Sequence, residues 1–159
     1  MTNHAFDIWL NNIGINLMRT DVGDRYISEA IKQFDYSLGG EPSGHILIPH
    51  LSKTGDALMN ALIILCEFVR ENKLSSNFFK KFTPIPQTIH NIKGIDKDIL
   101  DKVELKEQIH KVIQKVKDDA RVIVRPSGTE KIIRIMVESN NSTLIKSTIG
   151  EFEKIFSKY

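Results

Sequence analysis

The chain has 159 residues, 41% hydrophobic and 26% charged, with a formal net charge of +2 at pH 7. That length allows one sizeable core or two small ones, and the pattern described below fits two. Residues 1–82 carry 8 basic and 9 acidic side chains and residues 83–159 carry 14 and 11, so neither half is basic enough to point to nucleic acid.

No basic flank followed by an apolar run opens the chain, so neither a signal peptide nor a membrane helix is expected. The longest apolar stretch, residues 57–66, contains Asn60 and falls short of the roughly 20 residues a span requires. A single cysteine, Cys66, rules out an internal disulfide and suits a reducing cytoplasm. It reads as a buried structural thiol.

Residues 5–13 place Ala5, Ile8, Trp9 and Ile13 at helical spacing with Gly14 at the stop, which makes Trp9 a core residue. Residues 15–20 read as a short strand. A helix follows over 26–34 with Ile27, Ala30, Ile31 and Phe34 inward, and then a strand over 36–38. A glycine-rich loop leads to a strand over 46–48. Thr54-Gly55-Asp56 offers capping chemistry for a helix over 57–70 that is apolar on nearly every side and is therefore expected to be buried. Alternating helix and strand make residues 1–82 an α/β domain.

Residues 71–86 lose periodicity and collect Asn, Ser, Lys and two prolines, as a linker does. Beyond it come a strand (87–92), a helix (99–117, with Leu105, Ile109, Val112, Ile113 and Val116 on one face), strands at 121–124 and 132–138, and a helix over 143–157. The order β-α-β-β-α makes residues 83–159 a small α+β domain.

Two loops concentrate chemistry. In Arg125-Pro126-Ser127-Gly128-Thr129-Glu130, with Arg134 on the next strand, two guanidiniums, two hydroxyls and a glycine supply the donors a phosphate dianion accepts. Strand alternation sets Arg121, Ile123 and Arg125 on one face, and Ile132, Arg134 and Met136 on one face of the returning strand. With Ile133, Ile135 and Val137 inward, both Arg125 and Arg134 emerge on one side. The bland alternative is a hairpin turn shaped by Pro126 and Gly128, its arginines solvated or paired to Glu130 and Glu138.

In Gly39-Gly40-Glu41-Pro42-Ser43-Gly44-His45, Glu41 can accept from sugar hydroxyls, Ser43 can donate and accept, and His45 can exchange a proton near neutrality. A polar turn with a satisfied histidine is the competing reading. Asp21-Val22-Gly23-Asp24-Arg25-Tyr26 is a helix N-cap with aspartate at its start. Asp96-Lys97-Asp98 with Asp101 lacks the glycine and distal glutamate of a calcium loop and reads as a helix start. His4, His50, His90 and His110 show no metal-ligand spacing, and no metal site is expected in this chain.

These motifs, in this order and over nearly the whole chain, resemble the C-terminal part of the α-D-phosphohexomutase family, most closely its branch acting on glucosamine phosphate. The match lies in Val22-Gly23-Asp24-Arg25-Tyr26, the Gly39 to His45 loop, Thr54-Gly55-Asp56, and Val124 to Glu130 with Ile133 to Glu138. The resemblance implies a third domain at 1–82, whose Glu41 and Ser43 hold the sugar while His45 lies near the reacting hydroxyl. It implies at 83–159 a fourth domain related to the TATA-binding-protein fold, gripping phosphate through Arg125, Ser127, Gly128, Thr129 and Arg134. Pro42 and Lys131 depart from the family pattern without removing a ligand.

In that family a phosphoserine and an aspartate-bound magnesium ion, both in the first two domains, carry the transfer. This sequence shows no such serine loop and no Asp-x-Asp-x-Asp-Arg run, so the nucleophilic serine and Mg2+ are expected only in an N-terminal half that would act as partner. The implied role is phosphosugar binding, with no cofactor held by this chain and no turnover by it alone. A glucose- or mannose-phosphate mutase portion, a non-catalytic phosphosugar-binding module and a degenerate product are the alternatives.

Overall fold

The computed structural model describes residues 2–128 and 130–159, and the chain divides into two units, Met1–Thr83 and Pro84–Tyr159. In the first, helix α1 (His4–Asn12) starts where the Asn3 side chain accepts from the Ala5 N–H, satisfying one of the amide groups a helix start leaves open. Ala5 and Leu10 are buried. Trp9 is only half-buried, stacked on Phe6 at 6.0 Å and tilted on Phe82 at 6.4 Å. It closes an aromatic cluster instead of filling a core.

Helix α2 (Asp24–Phe34) turns Ile27 and Ile31 inward onto Leu47, and these three form the small core of this unit. Phe34, expected inward, is exposed. Strands β1 (Gly39–Gly40) and β2 (Ile46–Leu47) pair antiparallel, Gly39 with Leu47 and Gly40 with Ile46. Helix α3 (Ala57–Glu71) is capped by Asp56, whose carboxylate accepts from Met59 N–H at 2.9 Å. Asn60, the one polar interruption in its first turns, donates to the Ile46 carbonyl at 2.8 Å and ties α3 to β2.

Five expectations for this half need correction. Residues 15–20 and 36–38 are not strands, because a strand exists only with a ladder partner and none of the described residues pairs there. Helix α3 buries no residue, and Cys66 on it is exposed. Its all-round apolar pattern signals a helix that wants cover, which the described elements do not supply. Within the stretch read as a linker, α4 (Ser75–Phe79) forms because Phe78 and Phe79 pack edge-on at 4.9 Å and both meet Phe68.

The second unit follows the β-α-β-β-α order: β3 (Gln87–Lys93), a 3-10 turn at Lys97–Asp101, α5 (Val103–Val116), β4 (Arg121–Pro126), β5 (Ile132–Glu138) and α6 (Ser142–Phe156). The helix expected from residue 99 starts four residues later, since Lys102 adopts an extended conformation (ψ 126°) between the 3-10 turn and α5. The sheet is antiparallel in the order β3-β5-β4. Ile133, Ile135 and Val137 of the central strand are fully buried against Leu105, Val112 and Val116 of α5 and Ile145, Phe152 and Phe156 of α6. The two helices thus cover one sheet face. His90 Nε2 also reaches Glu153 Oε1 of α6 at 3.1 Å.

Helix α6 is held at its start by Asn141, whose side chain accepts from both Thr143 and Leu144 N–H groups. Asn141→Ala is expected to cost about 1 kcal/mol. Urea unfolding checks this through a lowered midpoint at unchanged slope.

Candidate functional site: a two-arginine row and a capped polar turn

The register of β5 decides what the sheet face turned away from α5 and α6 presents. Arg134 stands directly opposite Arg125 on one side and Asn91 on the other, and opposed residues share a face. Because Ile133 and Ile135 point toward the helices, Asn91, Arg134 and Arg125 form a row on the opposite face. Lys93, two residues beyond Asn91 and opposite Ile132, lies on that face too.

Two cations side by side are costly without an anion. Burial, and then the positive charge of Arg134, hold the Arg125 guanidinium below its ordinary range. The Arg134 Nε is buried with no hydrogen-bond partner among the described residues, while its Nη2 lies 3.6 Å from Glu130 Oε2. A buried donor on a guanidinium opposed by another guanidinium has the chemistry that suits an oxyanion.

Ser127, at the mouth of this row, is 6% exposed. Its N–H is spent on the Ile132 carbonyl at 2.8 Å, closing the hairpin, so its hydroxyl is what it can offer a ligand. Gly128 has open space where a Cβ would stand. Thr129, also expected as a phosphate ligand, lies outside the described residues. Lys131 reaches Asp96 Oδ2 at 3.2 Å, and its hydrogen bond holds the Asp96 carboxyl below the usual carboxylate range.

The residues expected to hold a sugar belong to the first unit. Glu41 to Gly44 form a β-turn in which Gly44 N–H donates to the Glu41 carbonyl at 3.0 Å and Glu41 N–H to the His45 carbonyl at 2.9 Å. Pro42 suits the second turn position through its fixed φ, and Gly44 takes φ +92°, which a side chain would resist. Glu41, Ser43 and His45 thus ride on one short hairpin.

The Glu41 carboxylate is not wholly free for a ligand. Its Oε1 accepts from Gly23 N–H at 3.0 Å, which caps α2 from outside. Gly23, not an aspartate, is the N-cap residue and makes no side-chain cap bond of its own. One carboxylate therefore clasps the Gly23-Asp24-Arg25-Tyr26 turn to the Glu41–His45 loop through one oxygen.

His45 Nε2 lies 3.9 Å from Asp24 Oδ2. A Cβ at Gly55 would overlap the His45 ring, so Gly55 is the floor on which the imidazole rests. Gly55→Ala should displace the ring while costing only about 1 kcal/mol, because the side chain is 41% exposed and can swing outward. Shifted His45 imidazole resonances in an otherwise native NMR spectrum would check this.

Sequence reasoning missed Asn91 and Lys93, which gain meaning only from their pairing with β5. It also missed the Glu41 to Gly23 bond, which spans 18 residues. Among the described residues no three His, Cys, Asp or Glu side chains converge to hold a metal ion. No helix among them is long and apolar enough to cross a membrane.

Comparison with known proteins agrees with the two-part architecture. Residues 1–84 match the family described as phosphoglucomutase/phosphomannomutase, alpha/beta/alpha domain III, and residues 85–154 match its C-terminal domain. The chain belongs to the phosphoglucomutase/phosphomannomutase family. It is 36% identical over 159 residues to phosphoglucosamine mutase of Bartonella quintana and 38% identical over 158 residues to that of Campylobacter hominis. These alignments cover 100% and 99% of this chain but 35% of each relative, so the chain spans about a third of their length and corresponds to their C-terminal part.

Among solved structures, N-acetylphosphoglucosamine mutase of Aspergillus fumigatus superposes with a TM-score of 0.79 at 13% identity, over 98% of this chain and 36% of that one. An N-acetylglucosamine-phosphate mutase of the α-D-phosphohexomutase superfamily, in its product complex, gives 0.76 at 16% identity over 96% and 36%. Identities this low speak for the fold alone, a mixed α/β arrangement of two successive domains.

Proposed function

We propose that this chain is the sugar- and phosphate-binding portion of a phosphoglucosamine mutase, the enzyme that interconverts glucosamine 6-phosphate and glucosamine 1-phosphate. The observation that carries the reading is the Arg125–Arg134 opposition on the sheet face turned away from α5 and α6, beside a buried Arg134 Nε that has no hydrogen-bond partner among the described residues. A dianion placed there would turn a repulsive pair into several charge-assisted bonds. Arg125, Arg134, Ser127, Gly128 and Thr129 hold the phosphate that does not react. Glu41 and Ser43 orient the sugar hydroxyls, and His45 exchanges a proton with one of them. The phosphoserine and magnesium chemistry belongs to the first two domains, which would act as partner, and this chain alone should not turn over substrate.

Calorimetric titration tests the reading. Glucosamine 6-phosphate should bind, with glucose 6-phosphate, mannose 6-phosphate and inorganic phosphate weaker. Equal affinity for the three sugars would move the assignment to a glucose- or mannose-phosphate mutase. Absence of binding by all four would remove the site. Turnover of glucosamine 6-phosphate by residues 1–159 alone, supplied with the bisphosphate activator, would overturn the division of labour.

Lys93→Ala is expected to weaken binding about threefold to tenfold without changing stability. Lys93 adds a point charge on the same face as the arginines but contributes no planar fork. Calorimetry beside a melting curve separates the two effects.

A further inference from the structure

We propose that Lys131, with Asp96 as its partner, is a positioning residue: it braces the β4–β5 turn that carries Ser127 and Gly128 against the segment following β3. The brace raises the affinity of the two-arginine row for an anion. This rests on the phosphate-binding reading of that row and deepens it, since neither Lys131 nor Asp96 is among the groups assigned to the phosphate.

Lys131, where the sequence departs from the family pattern, is held twice by one short stretch of chain. Its carbonyl accepts from Gly94 N–H at 3.0 Å, and its ammonium reaches Asp96 Oδ2 at 3.2 Å. The first bond adds a rung just beyond the last paired residues of the ladder, Lys93 and Ile132. The stretch turns at Gly94, whose φ of +79° a side chain would resist. Backbone and side chain of a single residue thus meet the same three-residue turn.

The other bonds of the β4–β5 turn begin and end within the hairpin. Ser127 N–H donates to the Ile132 carbonyl and Ile132 N–H to the Glu130 carbonyl, each at 2.8 Å, and Glu130 pairs with Arg134. They close the turn, whereas the Lys131 contacts tie it to chain outside. Arg125 and Arg134 ride on strands, but Ser127 rides on the turn itself, so its aim depends on how firmly that turn is held. A ligand group fixed beforehand loses less freedom on binding. The Lys131–Asp96 pair is neutral as a unit, so it lends order without adding net charge beside the anion.

The test uses the full chain at pH 7. There the Lys131 hydrogen bond, which holds the Asp96 carboxyl below its ordinary range, keeps the pair charged. Asp96→Asn combined with Lys131→Met removes the pair and leaves the net charge unchanged. In the ligand-free double variant, Gly94 amide exchange should quicken about two- to fivefold, the scale of an exposed ion pair. The Thr143 and Leu144 amides, held by Asn141 at the start of α6, should keep the parent's rates. Salt at about 1 M should quicken Gly94 exchange in the parent but not in the double variant, because it screens an exposed pair.

By calorimetry, the double variant should bind glucosamine 6-phosphate and inorganic phosphate about two- to fivefold more weakly. Reversing the pair, Asp96→Lys with Lys131→Asp, should recover most of both losses. The inference is overturned if Gly94 exchange is unchanged in the double variant, or if all amides quicken alike. It is also overturned if the double variant binds phosphate as tightly as a parent that binds it, or more tightly. A parent that binds neither ligand removes the phosphate reading and the role given to the brace, whereas unaltered Gly94 exchange removes the brace alone.

Discussion

Arg134→Met is expected to weaken glucosamine 6-phosphate binding by about 10- to 100-fold while raising the melting temperature of the ligand-free protein. The first effect follows from losing charge-assisted hydrogen bonds to a dianion, each worth about 1.5–3 kcal/mol, with a factor of ten per 1.4 kcal/mol. The second follows from the free structure. Methionine keeps most of the aliphatic volume, removes a buried Nε that has no partner among the described residues and ends the opposition to Arg125. Like charges directly opposed on a sheet cost about 0.2–1 kcal/mol. The contact given up, Arg134 to Glu130 at 3.6 Å between partly exposed groups, is worth little.

A residue whose loss stabilises the empty protein and weakens the complex is placed for its ligand. Arg134→Lys refines the point, since it keeps the charge but not the planar fork. It should recover the repulsion and only part of the affinity. A lowered melting temperature with unchanged binding in Arg134→Met would mean that the arginine serves the fold.

Phe152→Ala should be the most damaging single truncation in the second unit, at about 3–5 kcal/mol. Phe152 is fully buried in the cluster formed by α5, α6 and the inner face of β5. Typical domains hold only about 5–15 kcal/mol in total, so the variant should expose β5 amides to exchange at ambient temperature. Val103→Ala is the control. Its side chain is 70% exposed at the start of α5, and the change should stay within about 0.5 kcal/mol. Equal loss in both variants would place the core elsewhere.

The second unit was legible because two periodicities agree. Ile133, Ile135 and Val137 alternate on a strand while Leu105, Val112 and Val116 recur on a helix, and each pattern names the face the other needs. The emergence of Arg125 and Arg134 on one side is the remainder of that alternation. The first unit was less legible. The apolar residues of α3 signalled a demand for burial, but a pattern cannot say whether the described chain meets it, and Leu58 and Val69 stand in the open. Residues 15–20 and 36–38 read as strands from composition, yet pairing depends on a neighbour that local sequence does not contain. Within the site, Glu41 was visible as an acceptor but not as the clasp on Gly23, and Asn91 was invisible until register set it beside Arg134.

The position of β5 between β3 and β4 gives the second unit a clock. Flanked on both sides, Arg134 and Ile135 exchange their amide hydrogens only when the sheet comes apart. Arg125 sits instead on β4, an edge strand of the sheet that the described residues form. The two guanidiniums are therefore borne by backbones of unequal lifetime. If the two hold an anion as proposed, transient openings at the edge would release it from Arg125 before Arg134, an order set by the order of the strands.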